Sequence, residues 1–493
     1  MIKSAYEPSD VHVVHPEFRL RNDRKYIVAA QVREEEGLSG LLRLGPVEGA
    51  VVSMFDGSRT YHDVVDICTA FLPDASSQRW EGAEALVRHV ISHHSEPRGQ
   101  TTKPLLVRKS DLTAEERTCV RQYRPADFIV PFGNCRLDDP KLAFPISLLW
   151  LVTNTCQVKC QYCYMDRSPV AKEDLLPWER AKELLYEAHR GGTMEIRISG
   201  GDPLCYPYLF EFLDTLQELD FAPVSIPTKS YVSREMASRL AQYRIFRGIQ
   251  FSIDSTVPEI ADFIVQSPGF YHRTMESIQN VFAAGITNVN TKSVITPYTL
   301  PTIPKLYRDL RGLGVKPVIL ATYCRSGYWH EDKLYNHPND YQWLDAELGK
   351  LKEEFPDDEI YYQNGPPGLK PQTEEECRTR WQSRSRCTAG REHIAICANG
   401  KVVACEQMPE REKDYLGDLR FQSIREVWEG EALDKYLLHP SRDQFAGTAC
   451  LTCEEFDECQ TTYGPCVRES CIHFGTRWAP VPGCPKARAT RTM

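Results

Sequence analysis

Long apolar segments are absent from this sequence of 493 residues, and their absence argues against a membrane protein. No stretch is long enough to cross a bilayer, and the first residues lack the apolar core of a signal peptide. A basic excess is absent as well. The net charge of -9, with no basic stripe, argues against a general nucleic-acid-binding protein. We therefore expect a cytoplasmic protein without a membrane or nucleic-acid partner.

Cysteine, in contrast, is plentiful: the chain has 18 cysteines, which crowd toward its last quarter. In a secreted protein this number would indicate disulfides, but C-x2-C spacings in a large chain with a cytoplasmic profile indicate metal binding. The hydrophobic content of 42% and the charged content of 26% are those of an ordinary globular protein. The length predicts about two to four domains.

One short segment, residues 155–166, carries Cys156, Cys160 and Cys163 at C-x3-C-x2-C spacing. Three thiolates this close can bind three corners of one soft-metal cluster and leave the fourth corner open. A zinc knuckle and reduced structural thiols are the alternatives. The motif resembles that of the radical S-adenosylmethionine enzymes. The resemblance implies that the open iron holds the amino and carboxylate groups of the cofactor and that Tyr162 lies beside its adenine.

Strand and helix patterns alternate from Pro145 to about residue 325. The first strand is a near-continuous apolar run, as expected for a strand buried on both faces. Six βα units require a parallel sheet with right-handed crossovers, so we predict an α/β fold with a partial (β/α)6 barrel over residues 146–330. Chemistry in such sheets gathers at the carboxyl ends of the strands. The predicted strands are 146–152, 195–199, 224–226, 248–253, 289–294 and 317–321.

A glycine turn follows the second predicted strand, at Ser199-Gly200-Gly201-Asp202-Pro203. Two glycines let the backbone approach a ligand closely. The resemblance implies that this turn binds the amino group of the cofactor, with Asp202 in place of the usual glutamate.

Polar residues also follow the third and fourth predicted strands, at the levels where related enzymes contact the ribose and carboxylate of the cofactor. We predict Lys229 and Ser252 as cofactor-binding residues and Asp254 as a catalytic residue. An ion pair at the barrel mouth is the alternative for Lys229 and Asp254. After the fifth strand, the main chain at Ile295 is predicted to meet the adenine.

The C-terminal cysteines follow a second pattern. Cys387 is followed by Gly400 and Cys405, and later by Cys450-x2-Cys453-x5-Cys459. This order resembles the cluster-bearing extension called SPASM, which in its full form binds two auxiliary 4Fe–4S clusters. Zinc is the alternative, since C-x2-C pairs also occur in zinc ribbons. The resemblance implies one cluster on Cys377, Cys387, Cys405 and Cys466, and another on Cys450, Cys453, Cys459 and Cys484.

Three assignments in this region stay open. Cys466 follows Cys459 at an unusual spacing, so Cys471 is an alternative ligand. Cys397 lies in a strand-like run and is expected in the core. Glu406 directly follows Cys405, where related maturases place an acidic residue that takes a proton from substrate. We predict Glu406 as the catalytic base, with a solvated surface glutamate as the alternative.

Residues 1–95 read as three strands followed by three helices, a winged-helix-like unit. Segments 44–50 and 55–60 resemble the peptide-recognition domains (RRE, PqqD-like) of ribosomal peptide maturation systems, in which a leader peptide adds as a strand to the sheet edge. A DNA-binding winged helix, or one that only packs on the barrel, is the alternative. Residues 96–145 are predicted as a linker that wraps the barrel, 331–375 as a bridging region and 376–493 as the SPASM domain.

These resemblances imply a radical maturase of a ribosomally made peptide that forms an intramolecular C–C or thioether crosslink. Its cofactors would be S-adenosylmethionine and a 4Fe–4S cluster, with two auxiliary clusters. Its partners would be a precursor peptide and an electron donor such as flavodoxin or ferredoxin. The alternatives are a sulfatase-type maturase that oxidises Cys or Ser, and a leader-binding electron-transfer scaffold without radical chemistry.

Overall fold

The computed structural model divides into two compact units, Met1–Phe144 and Pro145–Met493. Each unit is described by itself. The structure describes residues 6–33, 37–71, 79–166, 174–316, 318–324, 326–328, 331–358, 360–363, 379, 381–382, 386–408, 410–464, 466–481 and 484–486.

The first unit begins with a short strand and an antiparallel sheet. Strand β1 (His12–Val14) is followed by β2 (Phe18–Asn22), β3 (Ile27–Arg33) and β4 (Gly37–Leu44), and the sheet order is β2-β3-β4. These are the three strands that the sequence predicts, with β4 longer than expected. In the described part of the unit, β2 and β4 are the edges of this sheet.

Helices cover this sheet. They are α1 (Pro46–Val52), α2 (Tyr61–Phe71) and α3 (Arg79–His94). Gly49 lets α1 pack tightly, because a Cβ at this position would lie 2.3 Å from Cγ1 of Ile27 on β3. The predicted strands and helices are therefore present, while the winged-helix class of the unit stays a prediction.

The segment expected to be a linker around the barrel belongs to the first unit instead. Strand β5 (Leu106–Arg108) pairs antiparallel with β1, and α4 (Ala114–Thr118) follows it. The carbonyl oxygen of Phe144 accepts a hydrogen bond from Arg21 of β2 at 3.0 Å. Prolines punctuate the segment, but several of its apolar residues belong to the core of the first unit, and composition alone could not show that. They are Leu105, Leu106, Phe128 and Val130.

The second unit contains the predicted barrel strands. They are β6 (Ser147–Leu151), β7 (Glu195–Ser199), β8 (Val224–Thr228), β9 (Phe246–Ser252), β10 (Val289–Ile295) and β11 (Val318–Thr322). All ladders among these six are parallel: β6 pairs with β7, and β8 to β11 pair in chain order. Among the described residues no ladder joins β7 to β8, so the barrel strands fall in two sheets. The predicted α/β partial barrel is confirmed.

Helices connect these strands. They are α5 (Trp178–Gly191), α6 (Leu209–Glu218), α7 (Arg234–Leu240), α8 (Pro258–Val265), α9 (Phe270–Ala283) and α10 (Ile303–Gly312). In α5, Ala181, Leu184, Leu185 and Ala188 recur at helical spacing and form the buried face. Helix α8 is an addition to the predicted set.

The C-terminal region continues the barrel sheets. Strand β12 (Tyr361–Gln363) is parallel to β11, and β13 (His393–Ile396) is parallel to β6. Strands β14 (Lys401–Val403) and β15 (Gly417–Asp418) extend that second sheet. Cys397 follows β13 and is fully buried, as predicted for a core residue. The loops after β13 and β14 therefore lie beside the strand that delivers the first cysteine motif.

Further helices complete the second unit. They are α11 (Pro338–Glu354), α12 (Ile424–Trp428), α13 (Glu431–Leu433), α14 (Phe456–Glu458) and α15 (Val467–Phe474), with π-helical turns at Asp434–Leu438 and Cys459–Tyr463. None of the described helices has the length and apolar character needed to cross a membrane.

Candidate radical and cluster site

A cavity of about 820 Å³ lies in the second unit. The cysteine loop, the glycine turn and the ends of several barrel strands line it, as do Glu406, Gln407 and Arg468 from the C-terminal region. The structure thus places the first cysteine motif, the glycine turn and part of the C-terminal cysteine region around one space.

The cysteine loop follows β6 and is held by α8. The backbone N–H groups of Lys159 and Gln161 donate to the carbonyl oxygens of Val265 and Ile264, at 3.0 and 2.9 Å. The side chain of Gln161 donates to the carbonyl of Phe263 at 2.9 Å. Carbonyl groups in the last turn of a helix have no partner within the helix, so the loop satisfies them. Helix α8 therefore fixes the loop that carries Cys156, Cys160 and Cys163.

Burial raises the pKa of Cys156 and of Cys160 to about 12. Without a cation these groups are neutral thiols at neutral pH, and a bound metal would convert them to thiolates. Both residues line the cavity together with Cys163.

The spacing of the sulfurs tests the zinc alternative. Among the described residues, only Glu48, His93 and His94 present three potential ligand atoms that all lie within 4.8 Å of one another. The sulfurs of the cysteine loop are therefore more widely spread. Zinc–sulfur bonds of about 2.3 Å would place tetrahedral sulfurs about 3.8 Å apart. At least one pair of these sulfurs lies farther apart than that, so the loop in this structure does not present a tetrahedral zinc site. In a cluster each thiolate binds a different iron.

The glycine turn packs directly on the cysteine loop. Gly200 has a φ of 137°, and a Cβ there would lie 2.4 Å from the carbonyl oxygen of Thr153. A Cβ on Gly201 would lie 2.4 Å from the carbonyl oxygen of Thr155. The N–H of Gly201 donates a hydrogen bond to the carbonyl oxygen of Thr153 at 2.6 Å. Both glycines are thus required for the contact between the two loops, and both line the cavity.

Asp202 fixes the other side of this turn. Its carboxylate accepts hydrogen bonds from the hydroxyl of Thr228 at 2.8 Å and from the N–H groups of Lys229 and Ser230 at 2.8 and 2.9 Å. Burial raises the pKa of Asp202 although these donors oppose the shift. Because protein donors already occupy its oxygens, the structure shows Asp202 as an anchor of the turn, and its cofactor contact stays a prediction.

A buried network joins the cysteine loop to three strand ends. Lys229 donates to the carbonyl of Ser252 at 2.5 Å and pairs with Asp254 at 3.1 Å. The Tyr162 hydroxyl donates to Asp254 at 2.5 Å, and the N–H of Val294 donates to its other oxygen at 2.8 Å. The ion pair considered from the sequence is therefore present.

The predicted cofactor-binding residues of this network reach the cavity, whereas the predicted catalytic residue does not. Tyr162, Lys229 and Ser252 line the cavity, as expected for cofactor-binding residues. Asp254 has 0% exposure and is not among the lining residues. Its geometry is that of a structural ion-pair partner, so the structure gives no support to the predicted catalytic role.

Ile295 is also placed away from the cavity. It is fully buried, and its carbonyl oxygen accepts a hydrogen bond from the amide of Asn336 at 3.1 Å. Val294 lines the cavity instead. Alternate side chains of a strand face opposite sides, so Val294 reaches the cavity while the side chain of Ile295 does not. The main-chain contact of Ile295 with the adenine stays a prediction.

The C-terminal cysteines form two groups. Burial, opposed by a backbone hydrogen bond and aided by nearby Cys387, raises the pKa of Cys466 to about 12. Burial raises the pKa of Cys405 to about 11, also with Cys387 nearby. Cys471 lies elsewhere, with its sulfur 3.7 Å from the Tyr436 hydroxyl. The structure thus groups Cys466 rather than Cys471 with the first set. The predicted fourth member, Cys377, lies outside the described residues.

The second group surrounds Cys450. Burial, with the thiols of Cys484, Cys459 and Cys453 nearby, raises the pKa of Cys450 to about 11. The ammonium of Lys486 lies 3.5 Å from the sulfur of Cys453 and could offset the negative charge of a cluster. All four predicted cysteines are therefore brought together.

Several charged cavity residues were missed from the sequence. Arg197 on β7, Lys292 on β10 and Arg468 on α15 all line the cavity, as does Cys324 after β11. Charged residues inside strands that read as buried were the available signal, because a charge in a barrel strand needs a polar space to face. Glu406, which the sequence did single out, lines the same cavity.

Two family models match this chain. Residues 150–310 match the radical SAM superfamily, and residues 387–454 match the iron–sulfur cluster-binding domain SPASM. The chain carries a radical SAM domain followed by a SPASM domain. The predicted cofactors, S-adenosylmethionine and 4Fe–4S clusters, are confirmed for these domains.

Relatives of this radical SAM protein include the mycofactocin maturase MftC of Mycobacterium tuberculosis, 26% identical over 330 residues that cover 64% of this chain and 77% of the relative. The crystal structure of Streptococcus suis SuiB bound to S-adenosylmethionine is similar with a TM-score of 0.59 and 15% identity, over 96% of this chain and 99% of SuiB. The structure of anSMEcpe with bound AdoMet reaches a TM-score of 0.50 at 16% identity, over 70% of this chain and 95% of that protein. At these identities the two structures establish the fold.

Metal analysis can test the cysteine assignments. Anaerobic reconstitution with iron and sulfide should load about twelve irons per chain and little zinc, and replacing Cys156, Cys160 and Cys163 by alanine should remove about four irons. As a control, a variant in which the exposed Cys119 and the half-buried Cys135 are replaced should keep the full iron content. Stoichiometric zinc in the native protein would contradict the cluster assignment.

Proposed function

We propose that this radical SAM protein is a maturase of a ribosomally made peptide, which it modifies by an intramolecular C–C or thioether crosslink. The observation that carries the proposal is the shared cavity. The Cys156, Cys160 and Cys163 loop lies on one wall, and Glu406 with Arg468 of the C-terminal region lies on another. A substrate in this space would meet both the radical source and residues beside the auxiliary cysteines.

The cofactors supply the radical, and the protein holds them in place. When bound, S-adenosylmethionine and the reduced cluster supply a 5′-deoxyadenosyl radical that removes hydrogen from an unactivated carbon. The protein holds the cluster through its three cysteines, keeps the glycine turn against that loop and excludes water from the barrel mouth. Glu406, at the cavity wall, stays the predicted base for a substrate proton.

The C-terminal cysteines are proposed to hold two auxiliary clusters that accept the surplus electron. Their grouping supports this ligand set: Cys387, Cys405 and Cys466 lie together, as do Cys450, Cys453, Cys459 and Cys484. Flavodoxin or ferredoxin is the proposed donor for the first reduction, and a cytoplasmic location goes with it.

The first unit is proposed to bind the leader of the precursor. Its antiparallel sheet has edge strands β2 and β4 in the described part, and an extended peptide can add to such an edge through backbone hydrogen bonds. SuiB has been crystallised bound to its precursor peptide SuiA, and its fold likeness covers 96% of this chain. The mycofactocin maturase MftC is, by its name, likewise a maturase.

Co-expression with a short peptide encoded beside this gene tests the proposal. Tandem mass spectrometry should find a mass loss of about 2 Da per modification, with fragments missing between two joined residues. A variant without Cys156, Cys160 and Cys163 is the control and should leave the peptide unmodified.

The same spectra separate the alternatives. An aldehyde at a Cys or Ser would indicate the sulfatase-type reaction. An unmodified peptide that still binds the protein would indicate a scaffold. Either result would contradict the proposed crosslinking activity.

A further inference from the structure

Some of the charged side chains around the cavity have an ion-pair partner and others do not. Arg197 lies 3.2 Å from Glu195, and Arg468 lies 2.8 Å from Glu469. Neither of these carboxylates lines the cavity, whereas both guanidinium groups do. The ion pairs therefore hold two cations at the wall of the cavity.

Lys292 is different. It lies on β10 and lines the cavity, and in the part of the chain that the structure describes its ammonium group has no hydrogen bond or ion pair. An ammonium group at a partly enclosed position loses hydration without gaining a partner, which costs free energy. Such a group is retained at low cost only when a ligand with negative charge completes it.

Glu406 does not complete it. Its carboxylate lies near enough to Lys292, Arg197 and Arg468 for all three cations to act on it electrostatically, yet none of them bonds to it among the described residues. Arg197 and Arg468 already have Glu195 and Glu469 as partners, so Lys292 is the cation of this wall whose ammonium has no bonded carboxylate among the described residues. A carboxylate of a ligand would give it a partner and would gain charge-assisted hydrogen bonds.

This wall is separate from the network that borders the cysteine loop. There Lys229 is already neutralised by Asp254 at 3.1 Å. The unpaired ammonium and the two oriented guanidinium groups thus mark a place for an anion other than the groups that the protein itself supplies.

We propose that Lys292, assisted by Arg197 and Arg468, binds a carboxylate of the substrate peptide and so fixes the reacting residue in the cavity. This inference rests on the proposed function for the identity of the substrate as a peptide. The carboxylate could belong to an acidic side chain or to the C-terminus of the peptide, and the chemistry of recognition is the same. Lys292 is in this account a specificity-determining residue.

Binding of three tripeptide probes tests the inference without requiring turnover. The probes are N-acetyl-Ala-Ala-Asp amide, N-acetyl-Ala-Ala-Ala with a free carboxylate, and the neutral N-acetyl-Ala-Ala-Ala amide. Dissociation constants are measured by calorimetry on the full-length, cluster-loaded protein with S-adenosylmethionine present. At least one acidic probe should bind about tenfold more tightly than the neutral probe. The acidic probe that gains affinity identifies the source of the carboxylate.

Two variants show whether Lys292 causes the preference for an acidic probe. Lys292→Met should remove the preference for the acidic probe and leave the affinity for S-adenosylmethionine unchanged. Lys316→Met is the matched control, because Lys316 is exposed before β11, at the end of the barrel opposite the strand ends that form the cavity. It should keep the preference.

Two outcomes would overturn the inference. Equal binding of all three probes would show that the wall does not select a carboxylate. Weaker binding of S-adenosylmethionine by Lys292→Met would assign the ammonium to the cofactor instead. Neither outcome bears on whether a precursor is crosslinked, which the co-expression experiment decides.

Discussion

Replacing Gly201 by alanine is expected to lower the reductive cleavage of S-adenosylmethionine by at least about 100-fold. The added Cβ would lie 2.4 Å from the carbonyl oxygen of Thr155 and 2.7 Å from that of Asn154. These are backbone atoms, so the glycine turn or the cysteine loop must shift, and a misplacement of about 1 Å can cost this much rate. Formation of 5′-deoxyadenosine by the reduced protein, with bound iron counted in the same sample, measures the effect.

Gly349→Ala is the matched control. Gly349 lies within α11, and nothing lies within 4 Å of a Cβ built there. The substitution should leave cleavage unchanged and raise the free energy of unfolding by up to about 1 kcal/mol, because alanine favours a helix interior over glycine. Wild-type cleavage by Gly201→Ala would show that contact between the two loops does not position the cofactor.

Replacing Asp254 by alanine is expected to lower the free energy of unfolding of the second unit by about 3–5 kcal/mol. The change leaves the Lys229 ammonium buried without its carboxylate, and breaking one side of a buried ion pair has a cost of this size. It also removes the acceptor of the Tyr162 hydroxyl and of the Val294 N–H. The midpoint of thermal unfolding of the cluster-loaded protein is the measurement.

The exposed pair of Arg308 and Glu354 provides the comparison. Their side chains are 45% and 42% exposed at a separation of 2.8 Å, so Glu354→Ala should cost less than about 1 kcal/mol. An Asp254→Ala protein with native stability but without cleavage of S-adenosylmethionine would restore the catalytic role that the sequence predicts for Asp254.

The strands of the barrel were predictable because strand and helix patterns alternate along this part of the chain, starting from a near-continuous apolar run at 146–152. Their ends then brought the glycine turn, Lys229 and Ser252 to one edge, as parallel strands require. Helix α8 was missed: it has only eight residues, and its role depends on carbonyl groups that the distant cysteine loop satisfies. No local pattern in residues 258–265 shows that contact.

The contacts that each polar side chain or cysteine makes were harder to predict than the strand end or loop on which it lies. Asp202 was selected as a cofactor residue, but its oxygens accept bonds from Thr228 and Ser230, which are close only after β7 and β8 fold. Cys466 and Cys471 could not be separated by spacing. In the structure, α15 places Cys471 against Tyr436, whereas Cys466 lies near Cys387. Such choices depend on tertiary packing rather than on local sequence.

The cavity also explains why Lys292 and Arg197 escaped notice. Each stands in a strand whose neighbours are buried, so the sequence reads as core interrupted by a charge. Only closure of the barrel shows that these charges face a space shared with Glu406 and Arg468.

The most direct test of this account is the yield of 5′-deoxyadenosine from the reduced, cluster-loaded protein, measured against the modified peptide in the same reaction. The account predicts that the protein forms 5′-deoxyadenosine, that the Cys156, Cys160 and Cys163 variant forms none, and that crosslinked precursor accumulates in proportion. A protein with its full iron content that forms no 5′-deoxyadenosine, or forms it while the precursor stays unmodified, would contradict the account.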